Sequence, residues 1–114
     1  KAQKLCDGLS YATAMEQTTE NMRKVATDAD VIVNCTSLGM HGVGSDFEDL
    51  SFLDNTCALL CDLIYNPWET KFLAYGRARG LATMNGMDML IGKTGFFFQL
   101  EHLRHRFIHH LCSL

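Results

Sequence analysis

Residues 62–93, DLIYNPWETKFLAYGRARGLATMNGMDMLIGK, decide the fold. Asp62-Leu63-Ile64 closes an apolar run, CALLCDLI from Cys57 to Ile64, that reads as a strand running into Tyr65. Asn66-Pro67-Trp68-Glu69 has the make-up of a helix start, with Asn66 as N-cap, Pro67 at the first helical position and Glu69 three residues after the cap. Phe72, Leu73, Tyr75 and Ala78 supply its apolar stripe, and Gly80 ends it. Leu81–Met84 is a short strand, Asn85-Gly86 a turn, and Met87 opens a long last helix that runs to about Leu111. Strand, helix, strand, helix is the rhythm of a parallel α/β sheet with right-handed crossovers.

Upstream, the same rhythm holds. Residues 1–9, KAQKLCDGL, resemble the tail of a helix with Ala2, Leu5 and Cys6 inward, and Tyr11–Met15 is a weak strand candidate. Thr18 or Thr19 caps a helix whose Met22, Val25, Ala26 and Ala29 recur at helical spacing. Val31-Ile32-Val33 then reads as a strand buried on both faces. It leads into the polar loop Asn34-Cys35-Thr36-Ser37, and residues 41–55 form an irregular acidic connection.

Composition bounds the function. A chain of 114 residues, 47% hydrophobic and 20% charged, supports one modest core and excludes wholesale disorder. A net charge of −3 gives no electrostatic case for nucleic acid or an anionic membrane. No apolar run reaches the roughly 20 residues that span a bilayer. Cys6, Cys35, Cys57, Cys61 and Cys112 read as reduced thiols of a cytoplasmic protein, packed as small hydrophobes, with Cys57 and Cys61 on one face of a strand. No tight ligand spacing for zinc is present.

The candidate chemistry is uneven. His102, His105 and His109 share one side of the last helix, which reads as a solvated polar face rather than a metal site. Phe96-Phe97-Phe98 reads as packing. GMHGVG (Gly39–Gly44) departs from the GxGxxG pattern and makes a weak phosphate cradle. The stronger signal is joint. Asn34–Ser37 and Asp62–Tyr65 follow consecutive parallel strands, so both converge on one crevice, the place where open α/β sheets bind ligands. Gly86, beyond the third strand, would let a flat ring approach the backbone closely. By itself this describes half of a nucleotide-binding domain.

Three motifs carry that reading further. ADVIVNCTSLGM (Ala29–Met40), DLIYNPWET (Asp62–Thr70) and NGMDMLIGK (Asn85–Lys93) resemble, in order and spacing, the C-terminal half of the shikimate dehydrogenase family. The resemblance implies a partial Rossmann-like domain over residues 1–90, with the first two strands missing, and a returning C-terminal helix over residues 91–114. From the 3-2-1-4-5-6 strand order it implies a third strand separated from the rest. It implies NADP, or NAD, as cofactor and hydride transfer between that cofactor and the substrate, interconverting 3-dehydroshikimate and shikimate, a step of chorismate and aromatic amino-acid biosynthesis. Cys35, Thr36 and Ser37 are similar to the loop beside the adenosine half of the cofactor. Leu63, Gly86 and Met89 are similar to residues lining the nicotinamide, and Tyr65 to the tyrosine that hydrogen-bonds the substrate carboxylate.

Lys93 stands where the family pattern has a glutamine that contacts substrate hydroxyls. Glutamine donates and accepts whereas lysine only donates, so shikimate and quinate both remain open as the small-molecule substrate. The family's catalytic Lys-Asp pair lies in a domain with no counterpart here, so the chain alone is expected to be inactive as a dehydrogenase. A homodimer and, alternatively, a non-catalytic fragment acting by association are both compatible with the sequence.

Overall fold

The computed structural model describes residues 1–91, except the side chains of Leu90 and Ile91. Three strands, β1 (Val31–Asn34), β2 (Leu59–Asp62) and β3 (Thr83–Met84), form a parallel sheet in the order β1-β2-β3. Val31 to Asn34 pair in step with Leu59 to Asp62, and Leu60 and Cys61 pair with Thr83 and Met84. Four helices accompany them: α1 (Ala2–Cys6), α2 (Thr19–Asp28), α3 (Lys71–Ala78) and α4 (Gly86–Ile91), with a 3₁₀ turn at Ser51–Leu53. The described strands are contiguous, so the separated strand implied by the resemblance has no counterpart among them. Tyr11–Met15, its only candidate, is irregular, and Tyr11 is exposed.

The core explains the arrangement. Ile32 and Leu60 stand at one level of neighbouring strands and pack with Ala26 and Ala29 at the end of α2, Phe52 and Leu53 of the 3₁₀ turn, and Phe72 and Leu73 of α3. Each large side chain buried here contributes about 1.5–3 kcal/mol. Strand residues alternate faces, so Val31 and Val33 point the other way, and both are only half-buried. β1 is therefore fully buried on one face, not on two.

Helix boundaries follow from the caps. Thr18 accepts the Asn21 amide at 3.2 Å and starts α2 as expected. α3 does not start at Asn66. Its N-cap is Thr70, whose hydroxyl accepts the Leu73 amide at 3.3 Å, while the Asn66 carbonyl accepts the His41 amide at 3.1 Å and the Asn66-Pro67 bond is cis. The stripe shifts too: Ala78 is exposed, and Gly76 is buried where a Cβ would run into the Leu60 side chain. Asn85 is a cap rather than half of a turn. Its side chain accepts the Asp88 amide at 2.8 Å, Asp88 reaches back to the Asn85 amide at 3.3 Å, and α4 begins at Gly86.

Two further expectations change. α1 buries none of its residues, and Leu5 is exposed. Cys57 lies before β2 and is exposed while Cys61 is buried, so the two do not share a strand face. The histidines at 102, 105 and 109, the Phe96–Phe98 run and most of the stretch expected to form a long last helix lie outside the described residues.

Candidate functional site

Three segments meet at the carboxyl end of the sheet. The loop after β1 is shaped by Asn34, whose side-chain oxygen accepts the Thr36 amide at 3.0 Å and the Thr36 hydroxyl at 2.6 Å. The Thr36 oxygen in turn accepts the Leu38 amide at 3.2 Å, and the Asn34 side-chain amide donates to the Leu38 carbonyl at 3.2 Å. The loop after β2 is tied to it by the Leu63 amide, which donates to the Asn34 carbonyl at 3.1 Å. The third segment is the start of α4, where the Gly86 amide donates to the Ile64 carbonyl at 3.1 Å and the Asn85 side chain donates to the Trp68 carbonyl at 3.1 Å.

Gly86 answers a close-approach requirement. A Cβ there would collide with the backbone of Leu63 and Ile64, so only glycine lets α4 close on this loop. The approach is made by the chain's own backbone.

Beneath these loops lies Asp62, with no exposed surface. It sits opposite Asn34 in the sheet. One carboxylate oxygen accepts the Asn34 side-chain amide at 3.2 Å and the Ile64 backbone amide at 3.0 Å, and the other accepts the Thr70 hydroxyl at 2.7 Å. Burial first, and then the Asp62 charge, pushes both neighbouring thiols up: Cys35 above its ordinary value, and Cys61 to about 11, with Cys35 adding to the latter. Neither thiol is an activated nucleophile.

The residues singled out from sequence divide by exposure. Leu63 and Tyr65 are about half exposed, at 46% and 56%. Ser37 is exposed, Cys35, Thr36 and Met89 are half-buried, and Gly86 is buried. Lys93 lies outside the described residues. Leu63 and Met89 are apolar and Tyr65 carries a phenol, side chains whose chemistry suits a flat ring with a polar edge. A narrow, mainly apolar groove lined by Met22, Ile32, Phe47, Phe52 and Phe72 reaches Asn34 and Thr36 from the α2 side.

Sequence reading gave no individual role to two members of this cluster, although Asp62 and Thr70 bracket the DLIYNPWET motif. Asp62 was legible as the one charge in CALLCDLI, an otherwise apolar run. Among the described residues no group of three His, Cys, Asp or Glu side chains is placed to hold a metal, and no helix is long and apolar enough to cross a membrane.

The parallel sheet, its strand-end crevice and the loops over it define a portion of a Rossmann-like, dinucleotide-binding type of domain. Comparison with known proteins makes this specific. No family model matches the chain. It is 37% identical over 83 residues to the NADP(+) shikimate dehydrogenase of Syntrophomonas wolfei, covering 72% of this chain and 29% of that protein. It is 38% identical over 87 residues to the corresponding Streptococcus pneumoniae enzyme, covering 76% and 30%. Among solved structures, a chorismate mutase/shikimate 5-dehydrogenase fusion protein from Clostridium acetobutylicum superposes with a TM-score of 0.61 at 31% identity, over 79% of this chain and 32% of that one. The relatives of this chain are thus shikimate dehydrogenases, and it spans about three-tenths of the length of the curated ones it matches.

Proposed function

We propose that this chain is one wall of the cofactor and substrate crevice of an NADP-dependent shikimate dehydrogenase, the nicotinamide side. The observation that carries the reading is the Gly86–Ile64 contact, which sets the start of α4 against the loop of Leu63 and Tyr65, at the end of a sheet whose relatives bear that name. When bound, NADP supplies the hydride chemistry; the protein's part is binding and orientation. Leu63 and Met89 flank the ring and limit water at its face. Gly86 holds α4 against Leu63, which fixes the depth of that wall. The half-exposed Tyr65 hydroxyl donates to the carboxylate of the bound hydroxy acid. Cys35, Thr36 and Ser37 border the adenosine half.

Residues 1–90 make up the cofactor-domain portion and residues 91–114 the returning segment. The compartment is cytoplasmic and the assembly a homodimer. Lys93 decides between shikimate and quinate. The Lys-Asp pair that handles the substrate proton belongs, by resemblance, to a part of the family that this chain does not match.

Trp68, the only tryptophan, is exposed and its carbonyl accepts the Asn85 side-chain amide at 3.1 Å at the start of α4, so it reports on the crevice. Titration with NADPH is expected to quench Trp68 emission in a saturable manner, and an unchanged spectrum at millimolar NADPH overturns the reading. The same chain is expected not to oxidise shikimate with NADP. Measurable turnover would show that it is more than a wall.

A further inference from the structure

Asp62 is a buried carboxylate that the proposed chemistry does not use. Its three donors come from three places: the end of β1 (Asn34), its own loop (Ile64) and the N-cap of α3 (Thr70). Each side chain among them is engaged onward. Asn34 holds Thr36 and Leu38, and Thr70 holds the Leu73 amide. The result is one unbroken line of hydrogen bonds, Leu38–Thr36–Asn34–Asp62–Thr70–Leu73, running under both crevice loops. Among the described residues no cation pairs with Asp62, so the carboxylate is balanced by hydrogen-bond donors alone.

A carboxylate suits this place because it only accepts, and it can accept at both oxygens. An amide turned with its nitrogen toward Thr70 would leave the Thr70 hydroxyl proton without the acceptor it now has. Apolar residues would fill the same volume, and often with no loss of stability, but they could not tie the loops together.

We propose that Asp62 is the positioning residue of the crevice, coupling the Cys35–Leu38 loop to the Leu63–Tyr65 loop so that they stand as one unit. Its consequence for cofactor binding rests on the wall reading above. Coupling itself rests only on the hydrogen-bond line.

The test uses the ¹⁵N-labelled 114-residue chain and its Asp62→Asn, Thr70→Val and Thr70→Ser variants, read by amide shifts and hydrogen exchange. Asp62→Asn is expected to move the Thr36 and Leu38 amides and to speed their exchange about tenfold, the loss of roughly one net hydrogen bond. The Ala58 amide, held by Thr56 at the opposite end of β2, should stay as it is. Thr70→Val should give the same pattern at lower amplitude, whereas Thr70→Ser, which keeps the hydroxyl, should retain the native pattern.

If Asp62→Asn or Thr70→Val disturbs only Ile64 or Leu73 and leaves Thr36 and Leu38 unmoved, the loops are held independently and the proposal falls. Should Asp62→Asn not fold, the Thr70 pair decides the matter by the same two outcomes. A second arm follows Trp68 during NADPH titration. Weaker binding by about tenfold in Thr70→Val, restored in Thr70→Ser, supports the functional consequence. Equal affinity across the variants overturns that consequence. Absence of binding to the unsubstituted chain overturns the wall reading instead, while the amide shifts still decide the coupling.

Discussion

Asp62 and Asp54 each accept a short hydrogen bond from a hydroxyl, and they live in opposite surroundings. Asp62 takes the Thr70 hydroxyl at 2.7 Å with no exposed surface, under the crevice. Asp54 takes the Tyr75 hydroxyl at 2.6 Å and the Arg79 guanidinium at 2.9 Å, out in solvent, with Arg79 stacked 3.4 Å from the Tyr75 ring centre. Among the described residues the exposed group has the cation and the buried one lacks it. Water makes the Asp54 cluster nearly exchangeable, because an exposed ion pair is worth little. Asp62 has no exposed surface for bulk solvent to reach, so each of its three donors depends on that carboxylate. Geometry alike, dependence unlike: burial sets the stakes, not bond length.

The contrast can be broken by substitution, and the largest effect belongs to Asp62→Ala. Three buried donors lose their acceptor, and urea unfolding should show a loss of about 3 kcal/mol or more with an unchanged slope. Gly86→Ala comes next, at about 1–3 kcal/mol, because its methyl group meets Leu63 backbone that cannot swing aside. Thr70→Val removes both a cap and a buried hydrogen bond, for about 1–2 kcal/mol in the same assay.

Asp54→Ala should be smallest, a slight but reproducible lowering of the melting temperature at neutral pH. Its pH dependence sharpens the comparison further. The Tyr75 hydrogen bond holds the Asp54 carboxyl below its ordinary 3.8, and Asp54 in turn raises the Tyr75 phenol above its ordinary 10.0. A depressed carboxyl contributes above its unfolded value and loses that contribution as pH falls through the folded one. A raised phenol contributes below its unfolded value and loses it as pH rises through the folded one. The small difference between the native chain and Asp54→Ala should therefore be flat between about pH 5 and 9, and shrink on either side, in melts across the pH range.

Much of the fold was legible because it is local. Val31–Val33, Cys57–Ile64 and Leu81–Met84 are short apolar runs, and each overlaps one of the strands β1, β2 and β3. The Thr18 cap stands directly before the helix it starts. What was not legible is tertiary. Thr70 caps α3 in place of Asn66, and its hydroxyl also bridges to Asp62 eight residues back, across a turn whose path no spacing rule supplies. Cys57 falls outside its strand because the Thr56 hydroxyl takes the Ala58 amide and β2 starts only at Leu59. Half-burial of Val31 and Val33 depends on what covers the second face of the sheet, which an apolar run does not specify. At the site, sequence picked the surface residues Leu63 and Tyr65 and passed over the buried polar line that supports them.

That line also acts on alignment. Ile32 stands opposite Leu60, and Asn34 opposite Asp62. Apolar pairs forgive a shift: sliding β1 by two residues against β2 keeps every side chain on its proper face and still sets aliphatic groups against one another. Such a shift would put Asn34 against Leu60, or Asp62 against Ile32, and strand a charge in the core with its donor one step away. The Asn34–Asp62 pair thus admits a single registration of the two strands, a proofreading device written as one amide and one carboxylate.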